Sequence, residues 1–332
     1  MQDPFLSTAY SPTYTEIDDD PKQVEYIEIK VKSALHHTRL PYSPKPFYYS
    51  LNLYRGCRHG CPFCFARYTH WFLGFQNSFD FQRKIQVKVN LLEVLERELS
   101  EPRRKRDWVS LGAATDPYQP AEKKYQLARG AFKLFAKYAW PAVFSTKSDL
   151  VLRDLDVLKE VVEKANGGVA MTLTTLKPDL QKFLEPHAVP IVRRLEALRQ
   201  LKAHGIPCGI HLMPIIPGLT DTDEAIEGMI KVAAGIGVDY FVYNVLRLRG
   251  KVVKGYYLDV LKKYDPKVFS RTLKLYGSRP YPPEFYTQRL YQKVKFYREK
   301  WGLKTHWNAL FGQKQMDLFQ GGDNRPPREA GH

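Results

Sequence analysis

The chain has 332 residues, enough to bury a sizeable core as one large domain or two modest ones. A hydrophobic fraction of 44% excludes a disordered protein, and the lack of a signal peptide or a long apolar stretch predicts a cytoplasmic protein without a membrane span. The net charge of +16 favours a polyanionic partner such as nucleic acid over a basic but otherwise ordinary enzyme.

Residues 1–45 are predicted to form an N-terminal arm. They are acidic and then rich in proline, and they show no sustained hydrophobic periodicity. We therefore expect an arm laid over the main domain. The segment EYIEIKVKSAL, which starts at Glu25, is predicted to hold one short strand of this arm.

Between residues 46 and 250, strand-like segments alternate with helical segments. The predicted strands cover residues 47–56, 107–116, 141–148, 169–176, 206–218 and 239–248. The predicted helices cover residues 91–101, 121–139, 154–165, 190–205 and 223–237, and Asn90 is predicted to cap the first. Strands joined by helices of crossover length imply parallel βαβ units, so the fold class is α/β.

This alternation fits either a Rossmann sheet or a partial (β/α)6 barrel of the TIM type. The positions of four polar side chains favour the barrel, because they lie at or just past the carboxyl ends of predicted strands. These residues are Cys57, Asp116, Lys147 and Thr174. A barrel collects such strand ends on one catalytic face.

Residues 251–310 are rich in Lys, Arg and Tyr and are predicted to form a helical C-terminal extension of two or three helices. Within it, residues 276–301 interleave basic and aromatic side chains, a pattern that suits phosphate contact and base stacking. A compact basic run, Arg103–Arg106, precedes the second predicted strand. It fits phosphate contact or an ordinary solvated helix face equally well.

Residues 311–332 are predicted to be a flexible tail. Its segment Gln315–Phe319 resembles the short peptide by which bacterial replication and repair proteins dock on the sliding clamp. The glutamine would fit a polar subsite, and Met316, Leu318 and Phe319 would fill an apolar pocket. The alternative is a packed C-terminal turn.

Three of the four cysteines lie within eight positions, as Cys57, Cys61 and Cys64 in a C-x3-C-x2-C spacing. Thiolates on so short a loop can converge on a soft metal centre. Three thiolates leave one iron of a [4Fe–4S] cluster open, and the amino and carboxylate groups of S-adenosylmethionine (SAM) can fill that position. The alternative is a zinc site that recruits His59 or His70. Cys208, far away in an apolar strand, is predicted to be a core residue.

The segment LNLYRGCRHGCPFCFAR resembles the cluster loop of the radical SAM superfamily. It most resembles the branch related to spore photoproduct lyase, also called DNA repair photolyase-like. The similarity continues through TDPYQPAEKKYQLARGA, STKSDLVLRDLDVL, TLTT and MPIIPGLTD, and covers roughly residues 45 to 250. Membership implies a partial (β/α)6 barrel with the cluster at its mouth.

The same resemblance implies a set of SAM contacts. Thr115 and Asp116 match the place where polar groups receive the methionyl amino group, and Lys147 resembles the lysine that meets the methionyl carboxylate. Thr172 and Thr174 are candidates for the ribose hydroxyls. Ile216 belongs to the segment that flanks adenine, and the backbone of Phe65 is a further adenine contact.

Two departures from spore photoproduct lyase concern hydrogen return. That enzyme uses a cysteine near the end of the second strand, where this chain reads LGAATDP, and it has tyrosines beside the last cluster cysteine, where this chain has Phe63 and Phe65. Either Tyr118, Tyr240 or Tyr243 substitutes as a hydrogen relay, or SAM is consumed at each turnover. Repair of spore photoproduct itself is not expected.

These features together predict a monomeric radical SAM enzyme, lyase-like and acting on damaged DNA, that takes electrons from a ferredoxin or flavodoxin. The first alternative is a radical SAM enzyme that modifies a peptide, an RNA or a small molecule. The second alternative is a non-catalytic zinc protein that binds nucleic acid.

Overall fold

The computed structural model describes residues 24–38, 49–75 and 77–303. Its strands are β1 (Glu25–Ile29), β2 (His36–His37), β3 (Tyr49–Leu51), β4 (Tyr54–Arg55), β5 (Lys84–Lys88), β6 (Val109–Leu111), β7 (Ala142–Thr146), β8 (Gly167–Thr172), β9 (Cys208–Ile215) and β10 (Tyr240–Val245). The predicted clamp-binding peptide Gln315–Phe319 and the rest of the tail lie outside the described residues.

The α-helices, which are interspersed with these strands, are numbered in chain order. They are α1 (Tyr68–Phe72), α2 (Asp80–Arg83), α3 (Leu91–Ser100), α4 (Glu122–Tyr125), α5 (Leu127–Tyr138), α6 (Leu155–Ala165), α7 (Pro178–Leu184), α8 (Ile191–Ala203), α9 (Asp223–Ile236), α10 (Lys251–Tyr264), α11 (Pro266–Tyr276) and α12 (Glu284–Lys300). Short 3₁₀ helices cover Phe65–Arg67 and Asp149–Asp154. Across the described part of the chain, no helix has both the length and the apolar character needed to cross a bilayer.

The main sheet has the order β10-β9-β8-β7-β6-β3-β2. Its six strands from β3 to β10 pair in parallel, and β2 adds to β3 in antiparallel orientation. The parallel strands follow one another in chain order, whereas a Rossmann sheet reverses its order at a switch point. Because β10 and β2 end on opposite edges, the sheet does not close. The predicted partial barrel is confirmed.

Residues along the barrel strands alternate between two environments. Val109, Phe144 and Met171 belong to the large core between sheet and helices. Their chain neighbours Trp108, Val143 and Ala170 form a separate interior cluster with Tyr240. Since Trp108 and Tyr240 stand at the amino ends of β6 and β10, this apolar plug fills the floor of the barrel. The polar strand ends are left at the opposite face.

A second, three-stranded sheet has the order β1-β5-β4 and was missed by sequence reasoning apart from β1. It ties the arm to the barrel. The strand expected in EYIEIKVKSAL is confirmed as β1, which pairs in parallel with β5. Asn90 is the N-cap residue of α3, as predicted, but its side chain makes no capping hydrogen bond to the helix. Its side-chain amide instead binds both the N–H and the C=O of Val31, at 2.8 and 2.9 Å.

The single helix predicted over residues 121–139 is divided into α4 and α5. Gln126 between them has a φ of +49°, in the left-handed region. The cause is Glu122, whose buried carboxylate accepts hydrogen bonds from the backbone N–H groups of Ala128 and Arg129. A carboxylate at these free N–H groups starts a new helix at Leu127.

The three helices α10, α11 and α12 that follow the barrel pack onto it in different ways. Leu290 and Val294 of α12 join the main core, and α12 lies along α9. Residues of α10 and α11 instead join an apolar cluster that contains Cys61 and Phe63. The predicted division of the chain at residues 45, 250 and 310 stays a prediction.

Candidate metal centre at the mouth of the barrel

The cysteine loop follows β4 and is packed into the protein. The Cys57 and Cys61 side chains are 8% and 6% exposed, Cys64 is half-buried, and all three are free thiols. Gly56, just before Cys57, has a φ of +84°, and a Cβ there would lie 2.8 Å from the carbonyl oxygen of Phe81. Only glycine allows the chain to turn so closely against its neighbours here.

The three thiols are close enough for their charges to interact. Burial, with a smaller contribution from Cys64, raises the pKa of Cys61 to about 12, and the nearby Lys147 ammonium opposes the rise. Burial also raises the pKa of Cys57, and Asp116, Cys61 and Cys64 add to it. The Cys57 and Cys61 thiols are therefore protonated at neutral pH, and a metal must displace their protons on binding. Three soft thiolates on one loop fit an iron–sulfur cluster.

The two histidines of the zinc alternative are already engaged. His59 places Nε2 3.1 Å from the Asp116 carboxylate and Nδ1 3.4 Å from the carbonyl oxygen of His187. His70 places Nε2 2.8 Å from the carbonyl oxygen of Lys84. Among the described residues, no three His, Cys, Asp or Glu side chains are gathered around one metal ion's position. A four-iron cluster does not need such a gathering, because each thiolate binds a different iron.

Asp116 links the loops that follow two neighbouring strands. One carboxylate oxygen accepts bonds from the Thr146 hydroxyl at 2.7 Å and the Tyr118 N–H at 2.8 Å. The other accepts the Lys147 N–H at 2.7 Å and faces His59. Burial alone would raise the pKa of Asp116, but His59, Thr146 and Lys147 outweigh it and hold the pKa at about 2. Asp116 is thus a buried carboxylate that orders both loops at the barrel mouth.

Three further residues predicted to contact SAM, Lys147, Thr115 and Ile216, also lie past the carboxyl ends of strands. Lys147 follows β7 with its ammonium 6.0 Å from the Phe63 ring centre. The Thr115 hydroxyl donates to the carbonyl oxygen of Gly56 at 2.6 Å. Ile216 follows β9 fully buried, and Phe65 begins the short helix after Cys64. Their contacts with SAM stay predictions.

Thr172 and Thr174 are tied to an ion pair that sequence reasoning missed. The Thr174 hydroxyl donates to Glu185 at 2.8 Å, and the Arg194 guanidinium donates to the carbonyl oxygen of Thr172 at 2.9 Å. Glu185 and Arg194 lie 2.6 Å apart and are 1% and 0% exposed. A charged pair so deeply buried at the carboxyl end of β8 fixes the shape of this side of the mouth.

The structure does not bring the three predicted relay tyrosines together. Tyr240 lies in the floor of the barrel, and Tyr243 packs on the outer face of the sheet against Tyr291 of α12. Tyr118 lies near the mouth, where its hydroxyl donates to Asp154 at 3.0 Å. A hydrogen relay through any of them stays a prediction.

A cavity of about 330 Å³ opens beside the cysteine loop. His59, Tyr118 and His187 line it together with the basic side chains of Lys123, Arg153 and Arg193. Arg193 pairs with Asp149 at 2.5 Å, and Arg153 pairs with Asp154 at 2.7 Å. The cavity therefore offers aromatic and cationic groups next to the candidate cluster, with part of the positive charge neutralised.

The basic segments singled out in the sequence lie mostly away from this mouth. The run Arg103–Arg106 precedes β6 and so stands at the amino ends of the barrel strands. Within residues 276–301, side chains of α12 bind acidic groups on or beside α9: Tyr297 and Lys293 contact Asp223, and Lys300 contacts Glu227. Much of the basic and aromatic pattern therefore holds α12 in place.

Cys208 is confirmed as a core residue. It begins β9, is fully buried, and its thiol lies 3.7 Å from the carbonyl oxygen of Leu198 in α8. Its side chain belongs to the core between sheet and helices, on the outer side of the barrel wall.

Comparison with known proteins gives one family. Residues 51–232 match the radical SAM superfamily. An uncharacterized protein of Mycobacterium tuberculosis is 35% identical over 275 residues, 82% of this chain and 79% of that protein. Spore photoproduct lyase complexed with dinucleoside spore photoproduct has a similar fold, with a TM-score of 0.61 and 16% identity over 83% of this chain and 79% of that chain. A mutant of that lyase with bound AdoMet and dinucleoside spore photoproduct gives 0.58 and 17%, over 79% and 78%.

Proposed function

The chain belongs to the radical SAM superfamily, and from that membership we propose that it is a lyase-like repair enzyme that acts on damaged DNA. Members of the family use a [4Fe–4S] cluster and SAM. Bound together, these supply a 5′-deoxyadenosyl radical that abstracts hydrogen from an unactivated C–H bond. The observation that carries the proposal is the buried loop of Cys57, Cys61 and Cys64 at the mouth of a partial barrel.

The residues around the mouth have separate tasks in this proposal. The three thiolates hold the cluster, and the Lys147 ammonium meets the carboxylate of SAM. Asp116 and the pair of Glu185 and Arg194 keep the surrounding loops in position. Leu246, Tyr257 and Leu261 pack into the apolar cluster around Cys61 and exclude water from that side of the loop.

DNA is supported as the substrate by charge and by the fold. The net charge of +16 suits a polyanion, and the fold resembles a lyase solved with dinucleoside spore photoproduct. A lesion within a duplex has to leave the base stack to reach the barrel mouth. The cavity lined by Tyr118 and Arg153 is a candidate place for the extruded nucleotide.

The same proposal includes the partners and the location of the protein. Reduction requires an electron donor of the ferredoxin or flavodoxin type, and we place the enzyme in the cytoplasm as a monomer. Docking on a sliding clamp through Gln315–Phe319 would bring the enzyme to replicating or repaired DNA. A peptide of residues 311–332 that fails to bind a clamp in calorimetry would remove this partner without touching the catalytic proposal.

The test is incubation of the anaerobically reconstituted enzyme with SAM, a reductant and ultraviolet-irradiated DNA. Mass spectrometry should find an altered lesion nucleoside together with 5′-deoxyadenosine, and neither should form with Cys61→Ser. Unirradiated DNA is the matched control substrate. The DNA proposal fails if irradiated DNA stays unchanged while SAM is cleaved at the same rate with or without it.

A radical SAM enzyme acting on a peptide, an RNA or a small molecule is the second candidate. It is favoured by the engagement of α12 basic residues with Asp223 and Glu227, which lowers the charge available to DNA. Binding to DNA at rising salt separates the two. An enzyme that acts on DNA should lose affinity for DNA steeply as the salt concentration rises, whereas a flat response or no binding favours the second candidate.

A further inference from the structure

Gln119 holds both peptide groups that flank Cys57. Its side chain is fully buried, and its amide nitrogen donates to the carbonyl oxygen of Gly56 at 3.2 Å. Its amide oxygen accepts the N–H of Arg58 at 3.0 Å. The Cys57 N–H itself donates to the carbonyl oxygen of Phe81 at 2.9 Å. The Cys57 carbonyl oxygen accepts the N–H of Gly60 at 3.3 Å. All four backbone N–H and C=O groups of the two peptides that flank Cys57 are therefore hydrogen-bonded.

Thr115 completes this arrangement. Its hydroxyl donates to the carbonyl oxygen of Gly56 at 2.6 Å and accepts the Gln119 amide at 2.9 Å. The one Gly56 carbonyl thus receives two donors, and the two donors are bonded to each other. A hydroxyl used in this way supports the cysteine loop rather than a ligand.

Arg67 repeats the arrangement at the second cysteine. Its guanidinium donates to the carbonyl oxygens of Gly60 at 2.6 Å and Cys61 at 3.0 Å, so it binds both peptide groups that flank Cys61. Two further bonds, to Gln82 at 2.8 Å and to the carbonyl oxygen of Ser78 at 2.9 Å, fix the guanidinium in turn. Its side chain is 3% exposed, so these bonds form away from water.

We propose that Gln119, with Thr115, and Arg67 are positioning residues that set the directions of the Cys57 and Cys61 thiols for cluster binding. The inference rests on the cluster of the proposed function and adds which side chains hold its ligands in place. Each acts through the backbone beside a ligand, as partners of metal ligands do elsewhere. It assigns Thr115 to the loop instead of to the amino group of SAM.

The test compares Gln119→Leu, Arg67→Met and Thr115→Val with the wild type. Two residues of α8 outside the cluster loop give matched controls, the half-buried Gln200 (Gln200→Leu) and the exposed Arg199 (Arg199→Met). After anaerobic reconstitution, iron release to a chelator and the midpoint potential of the cluster are measured, with circular dichroism to verify folding. Release should be about 10–100-fold faster in the first three variants and unchanged in the controls. Thr115→Ser keeps the hydroxyl and should restore the wild-type rate.

Three outcomes decide the inference. Faster iron release with unchanged affinity for SAM in the cluster-loaded fraction of Thr115→Val supports it. Unchanged iron release with weakened SAM affinity overturns it for Thr115 and returns that residue to the SAM site. Wild-type release rates in folded Gln119→Leu and Arg67→Met overturn it altogether. If the wild type itself takes up no iron–sulfur cluster, the proposed function fails instead, so the two failures are distinguishable.

Discussion

Removing one charge from the Glu185–Arg194 pair should destabilise the fold more than any surface ion pair would. The Glu185→Gln change keeps the side-chain size and an acceptor for the Thr174 hydroxyl. It leaves the Arg194 guanidinium without a counter-charge at 0% exposure. Breaking a buried pair in this way costs about 3–5 kcal/mol.

The magnitude can be read in a melting experiment. With an unfolding entropy of about 2.1 cal/mol/K per residue, that loss lowers Tm by roughly 4–7 °C in a chain of this length. Glu196 pairs with Arg199 on the same helix, but both are more than half exposed. The matched control Glu196→Gln should therefore change stability by less than about 1 kcal/mol.

A double variant separates the pair's stability from its role at the site. Glu185→Met with Arg194→Met removes both charges and should be more stable than Glu185→Gln, because no buried charge is left unpaired. The double variant should nevertheless bind SAM more weakly than the wild type, because Thr172 and Thr174 both lose their hydrogen-bond partners. Equal melting temperatures for Glu185→Gln and Glu196→Gln would refute the reasoning.

Three further changes give distinct outcomes. Gly56→Ala should lower stability and cluster content more than Gly74→Ala. Both positions have a positive φ, but only at Gly56 does the new Cβ meet atoms at 2.8 Å. Equal urea denaturation midpoints for the two variants would contradict this. Burial lowers the pKa of Lys88 from 10.5 to about 8, so between about pH 8 and pH 10.5 the folded chain binds fewer protons than the unfolded chain, and stability should rise with pH across that window. Lys88→Met should lack that rise in urea titrations, and parallel curves for the two proteins would refute the assignment. Cys61→Ser should lose the cluster in an iron assay while Cys208→Ser keeps it, and equal iron contents would contradict the ligand set.

The barrel could be predicted because buried parallel strands are continuous apolar runs between polar loops. Six such runs were visible in the sequence, and all six became barrel strands. The cysteine spacing, with Asp116 and Lys147 at the ends of predicted strands, also predicted the position of the mouth, because a barrel collects these strand ends on one face. Each of these signals is local in the chain, so it can be recognised without knowing the tertiary contacts.

The supporting residues could not be predicted because their partners are distant in the chain. Gln119 lies 63 residues from Gly56, and Arg194 lies 22 residues from Thr172. No spacing rule marks either residue. Arg67 follows the last cysteine by only three positions, but nothing in the sequence distinguishes it from an ordinary surface arginine.

Long-range contacts also give visible patterns a role that the sequence alone does not show. The basic and aromatic residues of 276–301 suited nucleic acid in isolation, and the acidic residues of α9 that bind them lie more than 70 residues earlier in the chain. Glu122 divided a helix that periodicity had left whole, because its carboxylate caps the following helix. In both cases a contact formed by folding, rather than local preference, decided the structure.

The central claim is that three thiolates leave one cluster iron open to SAM, and electron paramagnetic resonance tests it most directly. The anaerobically reconstituted protein, reduced and holding about four irons per chain, should change its resonance when SAM is added and then yield 5′-deoxyadenosine and methionine. A zinc-loaded protein, or a cluster whose resonance ignores SAM and that yields no 5′-deoxyadenosine, would contradict the account.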